Sequence, residues 1–390
     1  MKSESVLGIQ QEILRWARTT VGMSISEVAD SLKRKPEEIE AWEAGHSAPT
    51  YSQLEKLAYQ LYKRPLAVFF LPEPPEETTP QREFRTLPTA DLQTLARDTY
   101  LQIRRAHAYQ IALKDLFGGH NPASRCIWKS LSLSIRGDLA GQAQQIRQFL
   151  GITLEEQIAW KSDDIALKQW RQAVEDCGVF VFKAAFKQKD VSGFCLMDEN
   201  LPVIYLNNST TKTRQIFSLL HELAHLLLSI NGLSKFDTDY IARLPESEKQ
   251  LEIFCNAIAA EILIPDRDFA IQAERFPANV EAAPETLLSD LAGRYGVSRE
   301  VILRRFLDLG RVSKIFYEDK AKRWAAQKQP AGGGNWYLNQ GAYLSDRFAK
   351  EVVSRHFRGQ ISLEQASDFL GIKPKSYAGF EERILQGSGA

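Results

Sequence analysis

The pentapeptide His221-Glu222-Leu223-Ala224-His225 lies inside a mainly apolar run from Phe217 to Leu228. A run of this length and polarity predicts a buried α-helix. Residues i and i+4 lie about 40° apart on one face of a helix, so both imidazoles can reach one metal ion. Glu222 lies about 100° round the helix, where a carboxylate can take a proton from water beside that ion. The pentapeptide therefore predicts a metal centre with His221 and His225 as ligands and Glu222 as the base.

The third ligand has to come from another part of the chain, because a catalytic zinc takes three protein ligands and a water. A second helix, predicted from Glu246 to about Ile264, carries Glu252 among alanines that allow close helix packing. Glu248 lies one turn earlier on the same face and is the alternative, whereas Glu261 lies about 180° round the helix from Glu252. Cys255 could also ligate, although a small buried cysteine is more typical of a core. Glu252 is the predicted third ligand.

Three short runs rich in β-branched and aromatic residues predict strands at 178–182, 191–197 and 202–206. Turn residues separate the second run from the third, which is typical of antiparallel neighbours. We expect one small antiparallel sheet of about three strands, packed on the helix that carries the two histidines. The spacing of apolar residues elsewhere is helical.

The first 70 residues carry the turn and capping signals of a helix-turn-helix. Ser24 and Glu27 form the S-x-x-E pattern of a capping box, and Pro36 suits the first position of a following helix. Lys33, Arg34 and Lys35 lie in the turn between these two helices and are candidates for DNA contact.

The charge of this segment and of the whole chain bears on whether the protein binds DNA. Three glutamates, at 37, 38 and 40, occupy the helix that would read bases, where phosphates repel carboxylates. The whole chain has 49 basic and 49 acidic residues, a balance that disfavours a protein that binds nucleic acid with its entire surface. DNA binding by the N-terminal module and a role in protein contacts both remain open.

Two further segments have helix-turn-helix spacing. The segment at 286–312 contains Arg299, Arg304 and Arg305, which are candidates either for DNA contact or for an ordinary solvated surface. A C-terminal segment at 361–375 has a similar rhythm of alanine, leucine and glycine, and predicts either a packing cap or a partner-binding tail.

The paired motifs around the histidines resemble those of the ImmA/IrrE-type metallopeptidases. In that family a strand ending in asparagine, here 203–207, precedes the HExxH helix, and a later helix carries an ExxCN pattern, here 252–256. The resemblance covers about 178–310 and implies that Glu252, rather than Glu248, is the ligand. Residues 7–70 resemble the XRE (Cro/repressor-like) helix-turn-helix.

The resemblance implies a zinc-dependent endopeptidase that cleaves one regulatory protein, a repressor or antitoxin encoded nearby, in stress, phage or mobile-element control. Mn²⁺ or Fe²⁺ also suits a centre of two histidines and a carboxylate. Tyr205 and Arg214, just upstream of the helix, are candidates to stabilise the transition state, or else a strand aromatic and a surface charge. The alternative function is a DNA-binding regulator or an antitoxin with a PIN-type toxin partner, with a structural or vestigial metal site. A homodimer is expected from the XRE-like module.

The predicted fold class is mainly α, with a small α+β metallopeptidase domain and an N-terminal helix-turn-helix bundle. The expected domain limits are 1–72 for the XRE-like module, 73–90 for a Pro/Glu-rich linker, 91–165 for a helical segment without an assigned role, 166–325 for the metallopeptidase domain and 326–390 for a Gly-rich linker with a C-terminal helical segment. The four cysteines are scattered, and no apolar run approaches the roughly 20 residues of a membrane helix. The N-terminus lacks signal-peptide character, so we expect a cytoplasmic protein without membrane contact.

Overall fold

The computed structural model describes residues 4–77, 84, 95–188, 190–235, 238–326 and 343–386. Two compact units make up the chain, Met1–Arg105 and Ala106–Ala390. Among the described residues, no helix has both the length and the apolar character needed to cross a membrane. Most of the predicted 73–90 linker and the Pro330–Gly334 stretch lie outside the described residues.

The first unit is a small bundle of short helices around its own apolar core. Its helices are α1 (Gln11–Thr19), α2 (Ile25–Leu32), α3 (Pro36–Glu43) and α4 (Tyr51–Glu55), followed by a π-helical segment Lys56–Tyr62, a 3-10 helix Leu66–Phe70 and the start of α5 (Arg97–Phe117). The capping box of Ser24 and Glu27 is present, and Lys33 ends α2 in the left-handed conformation. Two helices separated by this short turn are compatible with the predicted helix-turn-helix, whose XRE-like character stays a prediction.

The second unit contains the four-stranded sheet and most of the helices. Its strands are β1 (Phe180–Ala184), β2 (Val191–Leu196), β3 (Val203–Asn207) and β4 (Leu233–Lys235). Its helices, after the second part of α5, are α6 (Ile127–Ser130), α7 (Leu139–Leu150), α8 (Leu154–Ala159), α9 (Asp163–Asp176), α10 (Lys212–Leu227), α11 (Glu246–Leu263), α12 (Asp266–Ala273), α13 (Glu285–Tyr295), α14 (Arg299–Asp308), α15 (Lys314–Ala325), α16 (Asp346–Phe357), α17 (Leu363–Leu370) and α18 (Tyr377–Gln386). Short 3-10 helices lie at Thr238–Arg243, Val280–Ala282 and Pro374–Ser376.

The sheet corrects the predicted topology. Its order is β1-β3-β2-β4, with β3 parallel to β1 and antiparallel to β2, and with β2 antiparallel to β4. The expectation of three antiparallel strands was wrong because β3 inserts between the first two strands instead of extending the sheet at its edge. Periodicity gives the number of strands but neither their order nor their direction. The fourth strand has only three residues, too few for an alternating pattern to be recognised in the sequence.

The two faces of the sheet pack against different partners. Side chains of Ile204 and Leu206 share one core with α10 residues Leu219, Leu220 and Leu223. Successive side chains of a strand point to opposite faces, so the residues between them face away from α10.

An aromatic cluster fills that opposite face of the sheet. The Phe182 ring is stacked on Tyr109 of α5 with centroids 4.1 Å apart, and its edge meets Phe348 of α16 at 5.5 Å. Both faces of the sheet are therefore covered by helices, and α16 belongs to the core of this unit.

The helices between 139 and 159 have a structural role that the sequence did not indicate. Arg147 donates to the carbonyl of Ile262 at 2.6 Å, and Gln157 donates to the carbonyls of Leu263 and Tyr295 at 2.9 and 2.8 Å. The last carbonyl groups of an α-helix have no partner within the helix. These two side chains satisfy the C-terminus of α11 and fix the position of that helix.

A buried ion pair ties the C-terminal helices to α9. Glu175 accepts hydrogen bonds from the backbone N–H groups of Val181 and Asp346 at 3.3 and 3.1 Å, and it lies 3.4 Å from Arg171. Arg171 also donates to the carbonyls of Val181 and Leu344. Burial raises the pKa of Glu175 to about 7, against the opposing effect of Arg171.

Stability should therefore depend on the protonation of Glu175. Its folded pKa of about 7 exceeds the unfolded value of 4.5, so between these limits the folded state binds more protons. Stability from this group falls as the pH rises from about 4.5 to about 7, by up to about 3 kcal/mol. We expect Glu175→Gln to lose less free energy of unfolding between pH 5 and pH 7.5 than the wild type, as measured by urea unfolding.

Exposed Glu155 provides the control for this measurement. Glu155→Gln should retain the wild-type difference between the two pH values, because its carboxylate is exposed. Buried Lys183, whose pKa is lowered to about 7 by burial, contributes a change mainly above this window. Equal losses for wild type and Glu175→Gln would contradict the prediction.

Candidate metal centre

Helix α10 presents the two histidines inside the core of the second unit. The Thr211 hydroxyl caps its N-terminus by accepting from the N–H of Arg214 at 3.1 Å, as its side chain at the N-cap position allows. His221 is 3% exposed, and His225 and Glu222 are fully buried. Apolar residues surround these polar side chains on the helix, so their polar atoms depend on partners inside the protein.

Glu252 of α11 meets both histidines. The two imidazole Nε2 atoms lie 3.0 Å apart, and the Glu252 carboxylate reaches His221 Nε2 at 3.4 Å and His225 Nε2 at 3.3 Å. Two ligand atoms bound to a tetrahedral zinc at about 2.0–2.1 Å lie roughly 3.3–3.4 Å apart. The three side chains therefore occupy positions close to three corners of such a tetrahedron, and a fourth corner remains for water or substrate. No other His, Cys, Asp or Glu joins this cluster within the described part of the chain.

The electrostatics of the centre favour a bound cation. Burial by itself would raise the pKa of Glu252, but the neighbouring His225 and His221 hold it well below its ordinary value. Burial alone would lower the pKa of His225, but the nearby Cys255 and Glu252 side chains hold it well above its ordinary value. A buried carboxylate against two imidazole nitrogens is stabilised by positive charge, either a proton on an imidazole or a metal ion between the donors. A divalent metal supplies that charge, and the donor set of two nitrogens and one oxygen fits such an ion.

Glu222 borders this cluster without being part of it. Glu222 is fully buried and is next to His221 in the chain. Burial raises the pKa of Cys255 on α11, and the charge of Glu222 adds to that rise. Burial raises the pKa of Cys195 on β2, and Glu222 raises it further. Glu222 thus lies in a dry environment between α10 and the sheet, beside the three donors.

The comparison with known families concerns the same part of the chain. Residues 174–307 match the family model Peptidase_M78, the IrrE N-terminal-like domain. The match supports a domain of peptidase type in this range. It contains the HExxH pentapeptide and Glu252, so the M78 domain includes all four residues of the centre. No curated protein matches the chain.

The other candidate ligands lie outside the centre of the M78 domain. Glu261 accepts from the N–H of Asp266 at 2.9 Å and pairs with Arg305 at 2.7 Å, away from the histidines. Cys255 interacts with His225, but its sulfur is not among the three atoms that cluster closely enough to hold one ion. Glu248 is half-buried and does not join the cluster.

The two candidates for transition-state stabilisation lie in different places. Tyr205 is 1% exposed and stacks on Phe194 with centroids 5.1 Å apart, on the sheet face opposite α10. The structure does not bring Tyr205 to the centre, and the donor role predicted for it does not fit this geometry. Arg214 lies two turns before His221 on the same helix face, over the Phe217 ring at 5.6 Å. Arg214 therefore remains a candidate.

The basic residues at 299–305 have partners inside the second unit. Arg299 pairs with Glu285 at 2.7 Å and Arg304 with Asp308 at 3.2 Å. Arg305 is 15% exposed at its side chain and binds Glu261, Asp266 and the carbonyl of Ile264. This arrangement favours a structural role over DNA contact. In the first unit, Lys33, Arg34 and Lys35 are exposed.

Sequence reasoning missed Asn207 as a residue that shapes the approach to α10. Its amide donates to the carbonyl of Val191 at 2.7 Å, and its oxygen accepts from the N–H groups of Phe186 and Ser209. The side chain thereby joins the ends of three segments around β3. Its position at the end of a strand was visible in the sequence, but its partners were not.

The internal pairing of Arg305 predicts unequal effects of two neighbouring substitutions. Arg305→Gln leaves the Glu261 carboxylate, 4% exposed, without its charged partner, and should lower the free energy of unfolding by about 3 kcal/mol. Arg304→Gln removes a pair that is more than half exposed on both sides and should cost less than about 1 kcal/mol. Denaturant unfolding at pH 7 measures both. Similar losses for the two variants would show that Arg305 has no special structural role.

Proposed function

We propose that the protein is a zinc-dependent endopeptidase that cleaves a specific regulatory protein. The observation that carries this proposal is the arrangement of His221, His225 and Glu252 at tetrahedral spacing in a dry core. A base beside these three donors, Glu222, favours catalysis, because a purely structural metal site has no use for one. Mn²⁺ or Fe²⁺ in place of zinc is compatible with the same donors.

The chain's own residues account for the proton transfers of peptide hydrolysis. Zinc, when bound, supplies Lewis acidity that polarises a carbonyl group and acidifies water. Glu222 accepts a proton from the attacking water as the water oxygen bonds to the carbonyl carbon. The same carboxyl group then donates that proton to the amine nitrogen as the C–N bond breaks. Arg214 lies on the same helix face as His221 and is the residue that we propose to stabilise negative charge on the carbonyl oxygen.

The proposed substrate is a repressor or antitoxin encoded near this protein, cleaved in stress, phage or mobile-element control. Support comes from the M78 match and from the resemblance of the N-terminal helices to a repressor module. The proposed location is the cytoplasm, and the XRE-like module is proposed to form a homodimer.

A second function is supported by the exposed Lys33, Arg34 and Lys35 in the turn between α2 and α3. These residues favour a DNA-binding regulator or an antitoxin with a PIN-type toxin partner. The glutamates at the start of α3 repel phosphate groups. A DNA-binding function also leaves the base Glu222 without a role. The peptidase is therefore the preferred proposal.

Metal content and cleavage test the peptidase proposal together. We expect about one zinc per chain in the wild type, lost in Glu252→Gln because a neutral amide cannot replace the carboxylate ligand. Glu248→Gln is the matched control, one turn away on the same helix, and should retain zinc. Glu222→Gln should also retain zinc but slow cleavage of a neighbour-encoded protein at least about 100-fold. Elemental analysis and gel electrophoresis give the two readouts.

Three results would contradict this proposal. Zinc binding that is unchanged in Glu252→Gln would remove the predicted ligand. Cleavage at the wild-type rate by Glu222→Gln would remove the predicted base. A protein that takes up no divalent metal would exclude the peptidase function altogether.

A further inference from the structure

The orientation of the His225 ring needs an explanation. A metal-binding histidine usually donates its second ring N–H to a carboxylate or carbonyl, and this hydrogen bond fixes the ring. The Nδ1 atoms of His221 and His225 are buried and have no hydrogen-bond partner within the described residues. The orientation of the His225 imidazole therefore depends on other contacts, one of which is with the Cys255 side chain.

Gly232 makes another such contact through its backbone. A Cβ atom built on Gly232 would lie 2.5 Å from Cδ2, 2.6 Å from Cγ and 2.9 Å from Nε2 of His225. The backbone of Gly232 thus packs directly against the ring, with no room for a side chain. Gly232 is not one of the glycines with positive φ. Its lack of a side chain is required for close approach, and its backbone conformation is open to other residues.

Cys195 of β2 holds Gly232 in position. The N–H of Cys195 donates to the carbonyl of Gly232 at 2.9 Å, and the N–H of Gly232 donates to the Cys195 sulfur at 3.2 Å. The thiol in turn donates to the carbonyl of Ile230 at 3.7 Å. Cys195 has no exposed surface, and its burial keeps the thiol protonated, so it serves as a hydrogen-bonding group.

The same loop is fixed at its other points. The N–H of Ile230 donates to the carbonyl of His225 at 3.0 Å, and the Asn231 side chain accepts from the N–H of Met197. The loop is therefore attached to both α10 and β2. A loop held on two sides resists displacement of Gly232 away from the ring.

We infer that Gly232, held by Cys195, is a positioning residue that fixes the His225 imidazole for metal binding. This inference rests on the proposed metal centre and adds a steric support to it. Carbon atoms in contact lie about 3.5–4.0 Å apart. A side chain at 232 would therefore displace the ring or the loop by about 1 Å, which exceeds the tolerance of about 0.2 Å in a zinc–nitrogen distance.

Cobalt binding tests the inference without any substrate. Co²⁺ titrated into the full-length protein reports affinity through chelator competition and geometry through its visible absorption. We expect Gly232→Ala to bind Co²⁺ about 10- to 100-fold more weakly than the wild type, with an altered spectrum. Gly293→Ala is the matched control, because a Cβ there meets nothing within 4 Å. It should bind Co²⁺ as the wild type does.

A pair of substitutions at Cys195 provides a second test in case Gly232→Ala fails to fold. Cys195→Ser keeps a group that can accept from Gly232 and should bind Co²⁺ within a few-fold of the wild type. Cys195→Val fills similar space without that group and should bind more weakly. Circular dichroism of the metal-free proteins checks that each variant is folded.

The outcomes separate this inference from the proposed function. If the wild type binds Co²⁺ and Gly232→Ala binds it with the same affinity and spectrum, the inference fails while the metal centre stands. Equal binding by folded Cys195→Ser and Cys195→Val removes the part assigned to Cys195. If the wild type binds no Co²⁺, both the metal centre and the inference fail.

Discussion

The contact between Glu252 and the two imidazoles is the interaction on which the arrangement of the second unit depends. It joins α10 to α11 through three polar side chains that are at most 3% exposed. Burying such groups costs several kcal/mol each unless they have partners. The imidazoles lower the pKa of Glu252, so they supply part of the compensation. A divalent cation between the three donors would supply the rest, and the same ion would serve chemistry.

The remainder of the unit fixes the two helices that make this contact. Arg147 and Gln157 cap the C-terminus of α11, and the sheet supports α10 through Ile204 and Leu206. The aromatic cluster on the opposite face of the sheet binds α16. Segments far apart in sequence thus converge on one sheet. The C-terminal helix α16 and the helices before residue 160 are parts of the scaffold around the centre.

How much of this could be predicted from the sequence depends on the range of each interaction. The spacing of His221 and His225 is a local property of a helix. The sequence therefore predicted correctly that both histidines lie on one helix and in one cluster. Glu252 required knowledge of which helix lies opposite, and family resemblance supplied it. The sequence left open whether Tyr205 is a transition-state donor or a strand aromatic, because strand alternation does not tell which face of the sheet meets α10. The sequence did not indicate a role for Gly232, because its contact with His225 depends on the pairing of β2 with β4.

The arginines at 299–305 show why charge in a sequence does not predict a binding surface. A cation is available to a phosphate only when leaving its present partner costs little. Half-exposed Arg304 could exchange Asp308 for an anion in water at small cost, because exposed ion pairs contribute little. Arg305 could not, because its departure would leave the buried Glu261 carboxylate without its charged partner. The burial of the partner, which only the fold reveals, thus decides whether a basic residue is free to bind another molecule.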